Sequence, residues 1–153
     1  RLLILKMDSN MLDEVDLSSL FQALAKNSTL TELSLIDNVI HDIENLSEAL
    51  AFNTTLETLS LSDNEIIDIT FLCEALAVNS TLLKLYLDHN DIYDIDFLSQ
   101  VIEGSNNSLI YLTLNNTQIE VQDKNHLEEV WDCRCSPNDL GLNLYGYTPI
   151  DSD

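Results

Sequence analysis

Apolar residues along this chain recur in a fixed template, Leu-x-x-Leu-x-Leu-x-x-Asn-x-Ile. It reads Leu30, Leu33, Leu35, Asn38, Ile40, then Leu56, Leu59, Leu61, Asn64, Ile66, then Leu82, Leu85, Leu87, Asn90, Ile92. Looser copies flank these: Leu2, Leu5, Met7, Asn10, Leu12 before, and Leu109, Leu112, Leu114, Thr117, Ile119 after. Copies start at residues 2, 30, 56, 82 and 109, so the spacings are 28, 26, 26 and 27. Within a copy, Leu33 and Leu35 alternate with Glu32, Ser34 and Ile36. That period of two predicts a short strand with the leucines inward and the other three on the open side. The return segment changes period. Ile43, Leu46 and Leu50 share one helical face, with Ala49 filling the gap beside them. Later copies offer Ile69, Leu72, Ala75, Leu76 and Ile95, Leu98, Val101, Ile102, and the first offers Leu17, Leu20, Ala23, Leu24.

Polar residues punctuate these helices. Asp16, Asp42, Asp68 and Asp94 stand just before them and are expected to cap orphan amides. Asn27, Asn53 and Asn79 follow the first three and are expected to end them in the left-handed conformation, with Gly104 near that place in the fourth. Each of these asparagines opens an N-x-T sequon at one phase of the repeat, so a structural cause is simpler than glycosylation. After Ile119 the pattern changes. Residues 123–133, with Leu127, Val130 and Trp131, predict a last amphipathic helix. Pro137 then breaks the chain, Leu140, Leu142 and Leu144 predict a degenerate sixth strand, and Thr148 to Asp153 is expected to fray.

A strand–helix unit of this period resembles the leucine-rich repeat, and its helical return resembles the ribonuclease-inhibitor-like subfamily. The fragments LSEALAFNTTLETLSLSDNEI and LCEALAVNSTLLKLYLDHNDI carry the likeness, which spans residues 2–121. The same repeat style occurs in NOD-like receptors, Ran GTPase-activating proteins, tropomodulins and effectors of intracellular bacteria. The resemblance implies an α/β solenoid with a curved parallel sheet on the concave side and short helices on the convex side. It also implies that Asn10, Asn38, Asn64 and Asn90 form a ladder on backbone groups, weakened where Thr117 replaces the asparagine. The expected organisation is a single domain over residues 1–153, with a C-terminal cap at 122–153. Residue 1 is Arg and the repeat is already in phase at Leu2, so a preceding segment is expected.

The charge narrows the partners. With 27 acidic against 6 basic residues the net charge is −21, which argues against nucleic acid and anionic membranes and favours a basic protein surface. No apolar run approaches the length of a membrane span. The three cysteines make no disulfide framework, and free thiols fit a reducing compartment. A cytoplasmic location is therefore expected, in the host cytosol for a secreted bacterial effector.

Candidate chemistry is sparse. There are three glycines and no phosphate loop. His41, His89 and His126 lie in different phases, and Cys133-x-Cys135 has no second pair to complete a zinc site. No catalytic residue, metal or cofactor is expected. Stacking instead aligns the open strand positions into columns, of which Glu32, Ile36, Lys84, Tyr86, Tyr111 and Thr113 are candidate partner-binding residues. Asp37, Asp63, Asp88 and His89 add a polar rim. Tyrosine is favoured in interface hot spots, but it also suits a pleated surface. The aspartates are equally good turn formers. Five strands spaced about 4.8 Å apart span roughly 20–25 Å, which offers some twenty exposed positions. The reading is a non-enzymatic inhibitor or adaptor that binds a protein through its concave face. The alternatives are a GTPase-regulating module of the Ran GTPase-activating type and an acidic histone- or chaperone-type binder.

Overall fold

In the computed structural model, residues 1–106, 108–133 and 141–144 are described here. Strand and helix alternate along them: β1 Ile4–Lys6, α1 Ser18–Leu24, β2 Glu32–Ser34, α2 Glu44–Phe52, β3 Thr58–Ser60, α3 Thr70–Val78, β4 Lys84–Tyr86, α4 Asp96–Gly104, β5 Tyr111–Thr113, α5 Val121–Cys133 and β6 Gly141–Asn143. The strands form one sheet in chain order, every neighbour parallel. Leu5, Leu33, Leu59, Leu85, Leu112 and Leu142 stand in register along it. This is a leucine-rich-repeat solenoid, with the sheet on one side and the helices on the other.

The core follows the expected phase. Leu33, Leu35, Leu59, Leu61, Leu85 and Leu87 are fully buried between sheet and helices, together with Ile43, Leu46, Leu50 and their equivalents. The first repeat differs: Phe21 is buried, while Leu20 is only half-buried and Ala23 is exposed. Phe21 belongs to a buried column continued by Ser47, Cys73 and Ser99, in which one large residue is followed by three small ones. Burial pushes the Cys73 thiol up to about 12, aided by the nearby carboxylates of Asp68, Asp94 and Glu74.

Three of the four expected ladder asparagines do what the repeat requires; Asn10 is exposed and its side chain donates only to the Asp8 carbonyl. Asn64 Nδ2 donates to the carbonyls of Leu35, Leu61 and Ser62 at 3.0, 3.0 and 3.2 Å, and its Oδ1 accepts from the Ile40 amide at 3.2 Å. Asn38 and Asn90 repeat the pattern. Thr117 retains one such bond, to the Leu114 carbonyl at 2.9 Å.

The helix ends correct the sequence reading. Asn53 and Asn79 are extended, with φ −74° and −75°, and not left-handed. They form a second ladder. Asn53 Nδ2 donates to the Leu24 carbonyl at 2.8 Å, closing the helix of the preceding repeat, while Oδ1 accepts from the amides of Thr55 and Leu56. Asn79 does the same for Leu50, and Asn106, not Gly104, does it for Leu76. One orphan carbonyl each of α1, α2 and α3 is thus satisfied by the next repeat. Asn27, although exposed, likewise accepts from the Thr29 and Leu30 amides, and this shared turn accounts for the phased sequons.

At the helix starts, Asp42, Asp68 and Asp94 accept from the amides of Glu44, Thr70 and Asp96 at 2.8, 2.8 and 3.0 Å, as capping predicts. Asp16 does not. Asp13 holds that turn instead, accepting from Val15 and Asp16 at 2.9 and 2.8 Å.

Beyond the fifth strand, α5 buries Leu127, Val130 and Trp131 as expected, and β6 pairs with β5. Lys124 is buried too and donates to the Leu144 carbonyl at 3.3 Å. The expected break at Pro137, Leu140 of the sixth strand, Cys135 and the fraying of 148–153 lie outside the described residues.

Candidate protein-binding face

Register brings the predicted columns together. Lys84 pairs with Thr58 and Tyr111, and Tyr86 pairs with Ser60 and Thr113. Side chains at one column step therefore meet diagonally, and the rings of Tyr86 and Tyr111 lie 5.4 Å apart at an interplanar angle of 47°. Such tilted pairs favour ring edges against ring faces. Partial burial, the neighbouring Tyr111 and the carboxylates of Glu32 and Asp88 raise the Tyr86 phenol above its ordinary range. Gly141 in β6 makes room for this arrangement, because a methyl group there would collide with the Tyr111 ring. Its position in register with Tyr111 was the available signal, and the sequence reading passed over it.

Glu32, Ile36, Lys84 and Tyr86 line one hollow of about 350 Å³ with Thr58, Ser60 and Ser62. Glu32 also pairs with Lys6 on the adjacent strand at 3.0 Å, and that contact raises the Lys6 ammonium pKa. The face is smaller than the column count suggested. Ser34, Ser60, Ser62, Thr113 and Asn115 are all buried, because short side chains on a tightly paired sheet are shaded by larger neighbours.

Asp88 and Thr113 are tied into the fold. The Thr113 hydroxyl donates to one carboxylate oxygen of Asp88, and the Asn115 amide and side chain donate to the other at 2.8 and 2.7 Å. Asp8 plays the same part at the other end of the sheet, accepting from Ser34 and Ile36 at 2.6 and 3.0 Å. These two aspartates fasten the end of a neighbouring strand.

Asp37, Asp63 and His89 form an exposed rim with Ser9 and Asn116, and all five have left-handed backbones, φ 52–57°. Asp, Asn and His tolerate that region better than most residues, so backbone geometry restricts the choice here. His89 links the rim: Nδ1 lies 3.5 Å from Asp63, and the Asn116 amide lies 2.8 Å from Nε2. Among the described residues no group of three His, Cys, Asp or Glu side chains is placed to hold a metal ion, and no helix is long and apolar enough to cross a membrane.

Comparison with solved structures agrees with this fold. The actin-binding site 2 of leiomodin-1 superposes with a TM-score of 0.71 at 18% identity, covering 86% of this chain and 79% of that one. The internalin inlF of Listeria monocytogenes superposes at 0.57 with 24% identity, over 84% of this chain. The internalin C2 of the same species shares 35% identity over 63% of this chain, at a TM-score of 0.47. The chain spans only 31% and 37% of the length of these two internalins. No family model and no curated protein sequence matches the chain.

Proposed function

We propose that this chain is a non-enzymatic protein-binding module that engages a partner through its concave sheet, as an inhibitor or adaptor. The carrying observation is the Tyr86–Tyr111 pair beside the hollow lined by Glu32, Ile36 and Lys84. Aromatic rings on a rigid sheet lose little freedom on binding and exclude water well. Asp37, Asp63 and His89 would meet the partner's rim. The excess of acidic residues favours a partner with a basic surface, and long-range attraction would steer its approach. The same excess supports a second reading, a histone- or chaperone-type binder, in which affinity collapses with salt. The nine-residue helices of three successive repeats support placement with ribonuclease-inhibitor-like repeats, the style used by bacterial effectors acting in host cytosol. In this reading residues 1–153 are one domain, with α5 and β6 closing its end.

The test is a double substitution, Tyr86→Ala with Tyr111→Ala. A partner captured from the source cell should bind the variant at least about thirtyfold more weakly, or roughly 2 kcal/mol. Glu48→Ala with Glu74→Ala, on the helical side, should bind normally. If the helical pair loses the partner while the tyrosine pair keeps it, the concave reading is wrong.

A further inference from the structure

We propose that the helix-start rim of the third and fourth repeats is a second docking surface, shaped for a partner segment that carries arginine or lysine beside an apolar side chain. Two repeat positions there are apolar and open to solvent. Ile67 and Tyr93 precede α3 and α4 and are 50% and 61% exposed. Phe71 and Phe97 are the second residues of the same helices and are 45% and 39% exposed. Each pair is 26 residues apart, one repeat, so stacking sets its members side by side. The second repeat has His41 and Asn45 in these places, so the apolar block begins at the third.

The fold does not need these side chains. Burial in the same segments is supplied by Ile69, Leu72, Ile95 and Leu98. A contiguous exposed block of large apolar residues marks an interaction site more often than single exposed residues do. Ile67, Tyr93 and Phe97 also line a hollow of about 310 Å³, shared with Asp68, Asp94 and Asp96 and with no basic residue. The caps fix two of these carboxylates in place, through the Thr70 and Asp96 amides.

Charge selects the occupant. A guanidinium or ammonium group can lie over an aromatic face while pairing with a carboxylate, and the two attractions reinforce one another. An apolar neighbour on the same segment would cover Ile67. A second copy of this chain would bring the same three aspartates and a net charge of −21, so the rim repels itself. Anionic lipid headgroups are repelled for the same reason. This surface belongs to the helix starts and not to the strands, so it stands or falls separately from the concave face.

Fluorescence anisotropy on the full chain tests it with three labelled peptides, built of arginine, leucine and glycine, of arginine, serine and glycine, and of glutamate, leucine and glycine. The arginine–leucine peptide should bind at about 0.15 M salt, where weak surface attraction is largely screened. The arginine–serine peptide should bind about tenfold more weakly, and the glutamate–leucine peptide not at all. Tyr93→Ser with Phe97→Ser, and separately Asp96→Lys, should each cost the first peptide about tenfold. Asp96→Lys leaves the apolar block intact and keeps the test sound should the double variant melt early. Tyr86→Ala with Tyr111→Ala should leave binding unchanged. Equal binding of the two arginine peptides, binding of the glutamate peptide, or loss only in the concave variant would overturn the proposal. So would sedimentation showing that the rim joins two copies.

Discussion

Asn10 and Asn64 occupy the same phase of the repeat, and their surroundings make them different residues. Asn64 is buried and satisfies four backbone groups, three carbonyls and one amide, drawn from two adjacent repeats. Asn10 is exposed, and its side chain donates only to the Asp8 carbonyl at 2.9 Å. Around Asn10 the same contrast holds more broadly. Leu2, Leu3 and Ile4 are exposed, and Leu5 and Met7 are half-buried, where Leu59 and Leu61 are fully buried. Met11 even takes a left-handed backbone, φ 54°, which an unbranched apolar residue gains nothing from. In a solenoid, the worth of a template residue is set by the repeats that stack on it, and Asn64 has one on each side.

The largest effect should come from the inward leucines. Leu59→Ala should destabilise the chain by about 2–5 kcal/mol, since neighbours on every side leave little room to collapse into the cavity. Leu5→Ala removes the same atoms from a half-buried site and should cost clearly less. Urea denaturation of both variants makes the check. Equal losses would mean that the first repeat is as well packed as the third.

The ladder should show the same gradient at smaller scale. Asn64→Ala strands the buried Ile40 amide, while the Leu35, Leu61 and Ser62 carbonyls keep donors from Asn38, Asn90 and the Asp37 amide, so the cost should be about 1–3 kcal/mol. Asn10→Ala removes one exposed bond and should stay within about 0.5 kcal/mol. Amide hydrogen exchange sharpens the comparison, because Ile40 should lose protection only in the Asn64 variant. Unchanged protection there would show that another acceptor or water takes the place of Asn64 Oδ1.

This gradient also explains what could be read from residues alone. The alternation around Leu33, Leu59 and Leu85 reports strand phase directly, because burial of the sheet's inner face depends on a period of two. The helix face of α2 to α4 was legible for the same reason. Phe21 was missed because its column holds Ser47, Cys73 and Ser99, so no apolar period announces it. Asn53 and Asn79 were given the wrong backbone because their partners, Leu24 and Leu50, lie 29 residues earlier, and local capping rules see only neighbours in sequence. At the concave face, the tyrosines were legible as a pair because column steps are simple arithmetic. The burial of Ser60, Ser62 and Thr113 was not, since it depends on the size of side chains one strand away.

The smallest effect should separate two aspartates that the sequence treats alike. Asp68 accepts from the Thr70 amide, while Asp16 accepts nothing and leaves its turn to Asp13. Asp68→Ala should therefore cost about 0.5–2 kcal/mol, toward the low end because the site is exposed, and Asp16→Ala should be nearly silent. The pH dependence gives a further handle. The Thr70 hydroxyl and amide hold the Asp68 carboxyl below its ordinary range. A carboxylate lowered in the folded state contributes fully above its unfolded pKa, and the contribution fades as pH falls through the lowered value. The difference in melting temperature between the parent chain and Asp68→Ala should thus be present at neutral pH and shrink in acid. A difference that persisted after the carboxylate had been protonated would show that Asp68 acts by packing or turn geometry, and the charge-assisted cap would have to be abandoned.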